Sequence, residues 1–198
     1  GMGISKFSDA FDAMYILGGE TEESSLRNIV KRSHDITKTG IVNFTQFEGF
    51  LGGTPGGSNG LNSNFNPVIN GVRYTLSSAS MGVYSRTNNT IAYISIGARI
   101  AAGNTMAYFA LYQGGLWRSP INQHAGDQWS VANADTLGLY IASRNTSTET
   151  KRYKNGIFKY TGNDVSAAMP NMNFYICAGN LNGTVDGDTK QIAFAFFG

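Results

Sequence analysis

Two tryptophans and a tyrosine are the side chains in this sequence best suited to hold a sugar. The apolar face of a pyranose stacks on a flat aromatic plate, while its hydroxyls require amide, hydroxyl or charged partners nearby. Trp117 stands between Gly114-Gly115 and Arg118-Ser119-Pro120, a turn-rich setting that presents a plate with a guanidinium beside it. Trp129 is a second plate, and Tyr84 has Arg86 and Asn88 at the next alternate positions to act as polar neighbours. The expected ligand-binding set is therefore Trp117, Arg118, Tyr84, Arg86, Asn88 and Trp129. The rival reading of either tryptophan is a core residue, since a large aromatic in a sandwich commonly fills the interior.

A second constellation has metal-ligand character. The run Asn180, Asn182, Thr184, Asp186, Asp188 alternates oxygen-bearing side chains around Gly183 and Gly187. Hard oxygen donors in a glycine-bent loop suit calcium, with Asn182, Asp186 and Asp188 as the ligands. EF-hand spacing and a bidentate glutamate are missing, so a plain hairpin loop between two late strands is the favoured reading. No other cofactor is expected.

Nucleophilic chemistry is poorly supplied. His34 and His124 are the only histidines, and although Asp35 or Asp127 stands near each, no Gly-x-Ser-x-Gly elbow accompanies them. Both read as solvated loop residues, and two isolated histidines do not make a zinc site. Cys177 is the single cysteine, so no internal disulfide exists; lying in an apolar run, it reads as a buried, inert thiol. The sequons at Asn43, Asn88, Asn145 and Asn182 read as chance matches in a chain rich in Asn and Thr.

These groups need a β scaffold to position them. Abundant Gly, Asn, Ser and Thr, many Tyr and Phe, and only four prolines describe strands joined by tight turns. At 198 residues one core is the default, and roughly 70% of the unfolded surface can be buried without disulfides or metals. The net charge is +2, and basic residues cluster only at Lys31-Arg32 and at Lys151, Arg152 and Lys154. Without a basic stripe, nucleic acid is not an expected partner. No apolar stretch reaches about 18 residues, so membrane insertion is not expected either. Gly1 before Met2 reads as the scar of a removed tag, and no signal peptide is visible after it.

Ser8 to Leu17 carries Phe11, Met14, Tyr15 and Ile16 between a Ser8-Asp9 cap and Gly18-Gly19, which predicts a short amphipathic helix. A second helical turn is predicted over Glu22 to Asn28. From Ile41 the pattern turns to strands: Ile41 to Phe44, Gln46 to Leu51, Leu61 to Phe65, Ala79 to Arg86, Ile91 to Arg99 and Met106 to Tyr112. Leu137 to Arg144, Lys151 to Lys154, Ile157 to Thr161, Asn173 to Gly179 and Gln191 to Phe197 follow. Asn155-Gly156 is the strongest hairpin signal, because this pair readily takes the two positive φ angles of a type I′ turn.

Several stretches resemble the concanavalin A-like (laminin-G-like) jelly-roll domains of phage and prophage tail-associated proteins. They are Phe50-Leu51-Gly52 leading to Leu61-Asn62-Ser63-Asn64-Phe65-Asn66-Pro67, then Ser77-Ser78-Ala79-Ser80-Met81-Gly82-Val83-Tyr84, then Tyr153-Lys154-Asn155-Gly156. The last is Pro170-Asn171-Met172-Asn173-Phe174-Tyr175-Ile176-Cys177-Ala178-Gly179-Asn180 running into Gln191-Ile192-Ala193-Phe194-Ala195. The resemblance implies an all-β, two-sheet antiparallel jelly-roll sandwich occupying 1–198 as a single domain, with 3–43 a partly helical N-terminal segment packed on it. It also implies surface recognition, at a virion, extracellular or cell-surface location. Laminarinase-type glycoside hydrolases share this jelly roll and carry Glu-x-Asp-x-x-Glu on one strand, with two carboxylates about 5 to 5.5 Å apart in retaining enzymes. That triplet is absent here, and the acidic clusters Glu20, Glu22, Glu23 and Asp186, Asp188 fall in turn-like sequence.

The expected function is a non-catalytic module binding a carbohydrate or a cell-surface receptor. The alternative is a structural or assembly domain that self-associates through Phe194, Phe196 and Phe197 on its last strand, and a degenerate glycoside hydrolase ranks third.

Overall fold

The computed structural model describes residues 6–101, 105–124 and 130–198. In chain order the elements are β1 (Ala13–Ile16), α1 (Glu22–Ser25), β2 (Thr37–Thr39), β3 (Asn43–Thr45), β4 (Gly49–Leu51), β5 (Gly60–Asn62) and α2 (Pro67–Asn70). There follow β6 (Ala79–Ser85), β7 (Ile96–Ile100), β8 (Thr105–Phe109), β9 (Leu116–Arg118), β10 (Ile121–His124), β11 (Ser130–Ala132) and β12 (Gly138–Thr146). The last are β13 (Glu149–Lys154), β14 (Ile157–Gly162), β15 (Tyr175–Ile176), β16 (Ala178–Leu181), β17 (Thr184–Gly187) and β18 (Gln191–Phe197).

Eight strands form the first sheet in the order β14-β13-β12-β6-β18-β4-β3, with β1 beside the C-terminal half of β18. The second sheet runs β10-β8-β7-β15-β5-β2, with β16 laid parallel on β7 and β17 on β16. A two-stranded ribbon, β9 with β11, joins its edge through the bridge Ala110–Arg118. The molecule is an all-β sandwich of two antiparallel sheets, as its composition and turn chemistry predict. No helix among the described residues is long and apolar enough to cross a membrane.

The N-terminal helix predicted over Ser8 to Leu17 does not form. Its start is a single 3-10 turn, Phe7–Asp9, and its centre is β1, paired with β18 from Ala13↔Phe197 to Ile16↔Phe194. Ala13, Met14, Tyr15 and Leu17 are buried and Ile16 is exposed, with Ala13, Tyr15 and Leu17 in the core between the sheets. The unpaired edge of β18 supplies backbone partners that an isolated helix lacks, and this tertiary pairing overrides local propensity. Within 3–43, β1 and β2 belong to the two sheets themselves, and the helical part is the 3-10 turn and α1. The turn at Glu22 does form, capped by the Thr21 hydroxyl, which accepts from Ser24 N at 3.1 Å.

One core joins both sheets. Phe65, Tyr74, Phe174 and Phe197 pack ring against ring near Tyr15, with Phe65 and Phe197 stacked at 5.6 Å. Charged groups are also enclosed. Arg152 and Asp164, both fully buried, lie 3.2 Å apart, and Arg144 donates to the backbone oxygens of Ile121 (2.9 Å) and Asp164 (2.8 Å). Desolvation lowers the pKa of both arginines, and the Asp164 carboxylate opposes that effect.

β18 is central to the first sheet, and this removes most of the aromatic surface expected at the C-terminus. A register shift between Ile192 and Phe194 breaks strict alternation, so Ala195 and Phe197 face the core. Phe196 turns outward but is covered by Phe11, at 5.0 Å between ring centroids, and by the bare backbone of Gly82. Only Phe194 retains part of its surface.

Candidate functional site

The ends of β6, β12 and β13 enclose an open groove of about 520 Å³, lined by Tyr84, Arg86, Asp135, Leu137, Gly138, Lys154 and Asn155. Its location follows from register. β12 lies between β6 and β13, pairing Leu139 with Tyr84 on one side and Tyr140 with Lys154 on the other. Val83 and Tyr140 point to the core, so Tyr84 projects outward, 38% exposed, with Leu137 beside it. The Asn155-Gly156 turn has φ of 53° and 76°, the two positive angles of a type I′ hairpin. Asn155 Oδ1 accepts from Leu139 N at 2.8 Å, tying the turn to the adjacent strand.

Lys154 is the electrostatic centre of the groove. Its Nζ donates to Asn133 Oδ1 (2.9 Å) and Asp135 Oδ1 (3.0 Å) and stands 4.9 Å above the Tyr140 ring. Burial opposes the ammonium charge, but hydrogen bonds with Tyr140 and Asp135 outweigh it and raise the Lys154 pKa. The same contact with Lys154 lowers the pKa of the Asp135 carboxyl. These two charges are thus engaged with each other. Arg86, exposed at the rim, makes no ion pair among the described residues and is the groove's open cation. An aromatic ring, an aliphatic neighbour and a ring of donors and acceptors can stack a sugar face and hold its hydroxyls.

The predicted residues do not all meet here. Tyr84 and Arg86 line the groove, and Asn88 stands on the loop beside it, where its Oδ1 accepts from Thr136 N at 3.2 Å. Trp117 is not an exposed plate: it is 1% exposed, edge-on to Phe109 (5.6 Å) and Tyr140 (5.0 Å). The flanking glycines shape the turn into β9, and β9 itself carries the indole into the core. Arg118, on the opposite side of β9, lines a separate cavity on the second sheet. Trp129 lies outside the described residues. Asp135, Leu137, Lys154 and Asn155 were missed; the Asn-Gly turn signals a strand end at Lys154, but only sheet order brings it next to Tyr84.

The oxygen-rich run is a hairpin, β16 to β17, turning at Asn182-Gly183 with φ of 54° and 88°. Asp188 is fully buried and committed, its Oδ1 3.0 Å from Lys190 Nζ and its Oδ2 accepting from Ser95 Oγ. Asn182 Oδ1 accepts from Ala101 N at 2.7 Å, and Asp186 faces the second cavity. The three proposed calcium ligands therefore serve separate purposes, and no group of three or more His, Cys, Asp or Glu side chains converges as a metal site among the described residues. His34 is not a solvated loop residue: it is half-buried, with Nδ1 2.8 Å from Asn64 O. Burial pushes the Cys177 thiol well up, and Asp188 adds to the effect.

No protein-family model and no curated protein matches the chain. Solved structures do. Botulinum neurotoxin type C, whose cell entry depends on interaction with two ganglioside molecules, superposes with a TM-score of 0.64 at 13% identity, over 98% of this chain and 49% of that one. Domain 4 of AbnA, a GH43 extracellular arabinanase from Geobacillus stearothermophilus in complex with arabinotriose, gives 0.50 at 16% identity, over 95% and 91%. Trypanosoma rangeli sialidase in complex with 2,3-difluorosialic acid gives 0.55 at 14% identity, over 84% and 27%. The chain shares their fold. It spans about half the length of the toxin binding domains it matches.

Proposed function

We propose that this chain is a non-catalytic carbohydrate- or receptor-binding module whose ligand seats in the groove over Tyr84. The observation that carries this reading is the exposed phenol ring beside Leu137, bordered by Arg86, Asp135, Lys154 and Asn155. Structural neighbours, among them a botulinum neurotoxin binding domain and a domain of an arabinanase in complex with arabinotriose, support it at the level of fold. The resemblance to phage and prophage tail-associated domains adds a setting, a particle or cell surface that meets a glycan on another cell. A glycan-array screen with and without calcium tests the proposal. Binding by the wild type that falls at least tenfold in Tyr84→Ala and in Arg86→Ala, without dependence on calcium, is the expected result. Undiminished binding in both variants would remove the groove from the argument, and release of reducing ends from a β-glucan would overturn the non-catalytic assignment.

A second reading, assembly through the outer face of the first sheet, has one observation in its favour. Register aligns Ile16, Phe194, Tyr84 and Leu139 in a single row across β1, β18, β6 and β12, and Ile16 is 51% exposed. Ile16→Ser separates the two, since it interrupts the row without touching the groove. Concentration-dependent association lost in Ile16→Ser, together with silence on every glycan, would favour assembly.

A further inference from the structure

The outer face of the second sheet carries a smaller, more enclosed cavity of about 170 Å³. Alternation along β7 and β8 directs Ala98 and Ala107 into the main core, while Arg99 and Tyr108 point the other way. Arg118 from β9, Asp186 from β17 and Tyr93 from the preceding loop close the sides.

Its polar groups are not matched to one another. Arg99 Nε is buried with no hydrogen-bond partner, and the half-buried Asp186 carboxylate forms no ion pair among the described residues. Both guanidiniums act on the Tyr108 phenol: burial raises its pKa, and Arg99 and Arg118 oppose the rise. A buried donor without a partner is desolvated and uncompensated, and a ligand acceptor brought to Arg99 supplies the missing hydrogen bond. Arg99 together with the Asp186 carboxylate fits a monoanion and disfavours a dianionic phosphate facing Asp186. A planar carboxylate suits a guanidinium fork. Asp186 requires a donor from the same ligand, which a sugar hydroxyl provides, and Tyr93 offers an aromatic wall. The volume lies below the ~300 Å³ of the smaller drug-sized sites, which limits the occupant to about one sugar residue.

We propose that this cavity is a second binding site, separate from the Tyr84 groove, for one carboxylate-bearing sugar residue, with the carboxylate on Arg99 and a ring hydroxyl donating to Asp186. Arg118 adds positive field from the far wall.

Calorimetric or NMR titration with methyl β-glucuronide and with N-acetylneuraminic acid tests this, using methyl β-glucoside and acetate as controls. The acidic sugars are expected to bind at least tenfold tighter than either control. Arg99→Gln is expected to weaken them at least tenfold. Asp186→Ala is expected to weaken the acidic sugars and to tighten acetate, because it removes a hydroxyl acceptor and a repelling charge together. Thermal melts show whether each variant is folded. Acidic sugars that bind no better than methyl β-glucoside, acetate that binds as tightly as the sugars, or affinity retained in a folded Arg99→Gln would each overturn the assignment.

Discussion

Replacing Trp117 by alanine is expected to remove folding stability rather than a sugar plate. The indole is enclosed between Phe109 and Tyr140, under the strands that carry the groove. Emptying a core position of that size costs ~3–5 kcal/mol, because the surroundings collapse only partly into the space. In a chain of 198 residues each kcal/mol moves Tm by roughly 2–4 °C, so a fall of about 6–20 °C is expected. Trp117→Phe separates packing from shape. It keeps an aromatic ring against Phe109 and removes an indole N–H that has no hydrogen-bond partner among the described residues, so opposing effects leave a loss of about 1–2 kcal/mol. Calorimetric melts of the three proteins, run beside glycan binding at a temperature where all are folded, check both values. Under those conditions Trp117→Phe binds like the wild type. An alanine variant that melts like the wild type yet loses its ligand would refute the reasoning, since only an indole at the binding surface behaves that way.

The buried Arg152–Asp164 pair is expected to show strong coupling: Arg152→Met or Asp164→Leu alone leaves one charge stranded in the core and costs ~3–5 kcal/mol. The double variant is expected to lose much less than the sum, as urea unfolding of the four proteins will read, and additive losses would contradict this. Alkaline pH is expected to unfold the protein, because burial raises the phenols of Tyr15 and Tyr74 far above the ordinary tyrosine range. The unfolded chain releases those protons from about pH 10 while the folded chain holds them, so stability is complete below that pH and falls above it by about 2.7 kcal/mol per unit for the two groups. Phenolate absorbance followed together with circular dichroism checks this, and two phenols titrating near their ordinary value in a folded chain would refute it.

What the sequence disclosed about this molecule divides along a physical line. Asn155-Gly156 was legible because a type I′ turn is decided by two residues, and the strand over Leu137 to Arg144 was legible because its signal is carried by neighbours in sequence. Ser8 to Leu17 was misread because the deciding partner, the edge of β18, stands about 180 residues away and no local pattern announces it. The groove shows both cases. Tyr84 and Arg86 carry their own signal as an aromatic and a cation on alternate positions, whereas Asp135, Leu137 and Lys154 join them only through the β6-β12-β13 pairing. Trp117 illustrates the reverse error: flanking glycines and a neighbouring arginine resemble a surface plate, but β9 needs one face buried, and the indole is on that face.

The same alternation explains how one sandwich can hold two unlike polar sites. Core packing constrains only the inward positions, Val83 and Tyr140 in the first sheet, Ala98 and Ala107 in the second. The outward positions next to them, Tyr84 and Leu139 or Arg99, are left to other uses, whereas Tyr108 packs in a second, smaller apolar cluster. Where such a position holds a large aromatic or a guanidinium with an unpartnered donor among the described residues, part of the side chain's binding capacity is unused by the fold. Tyr84 leaves apolar surface in water, and Arg99 keeps a donor without a partner among the described residues. Each is unfavourable for the isolated chain and becomes favourable only with something bound, which is the physical ground for placing ligands at these two faces rather than in the core.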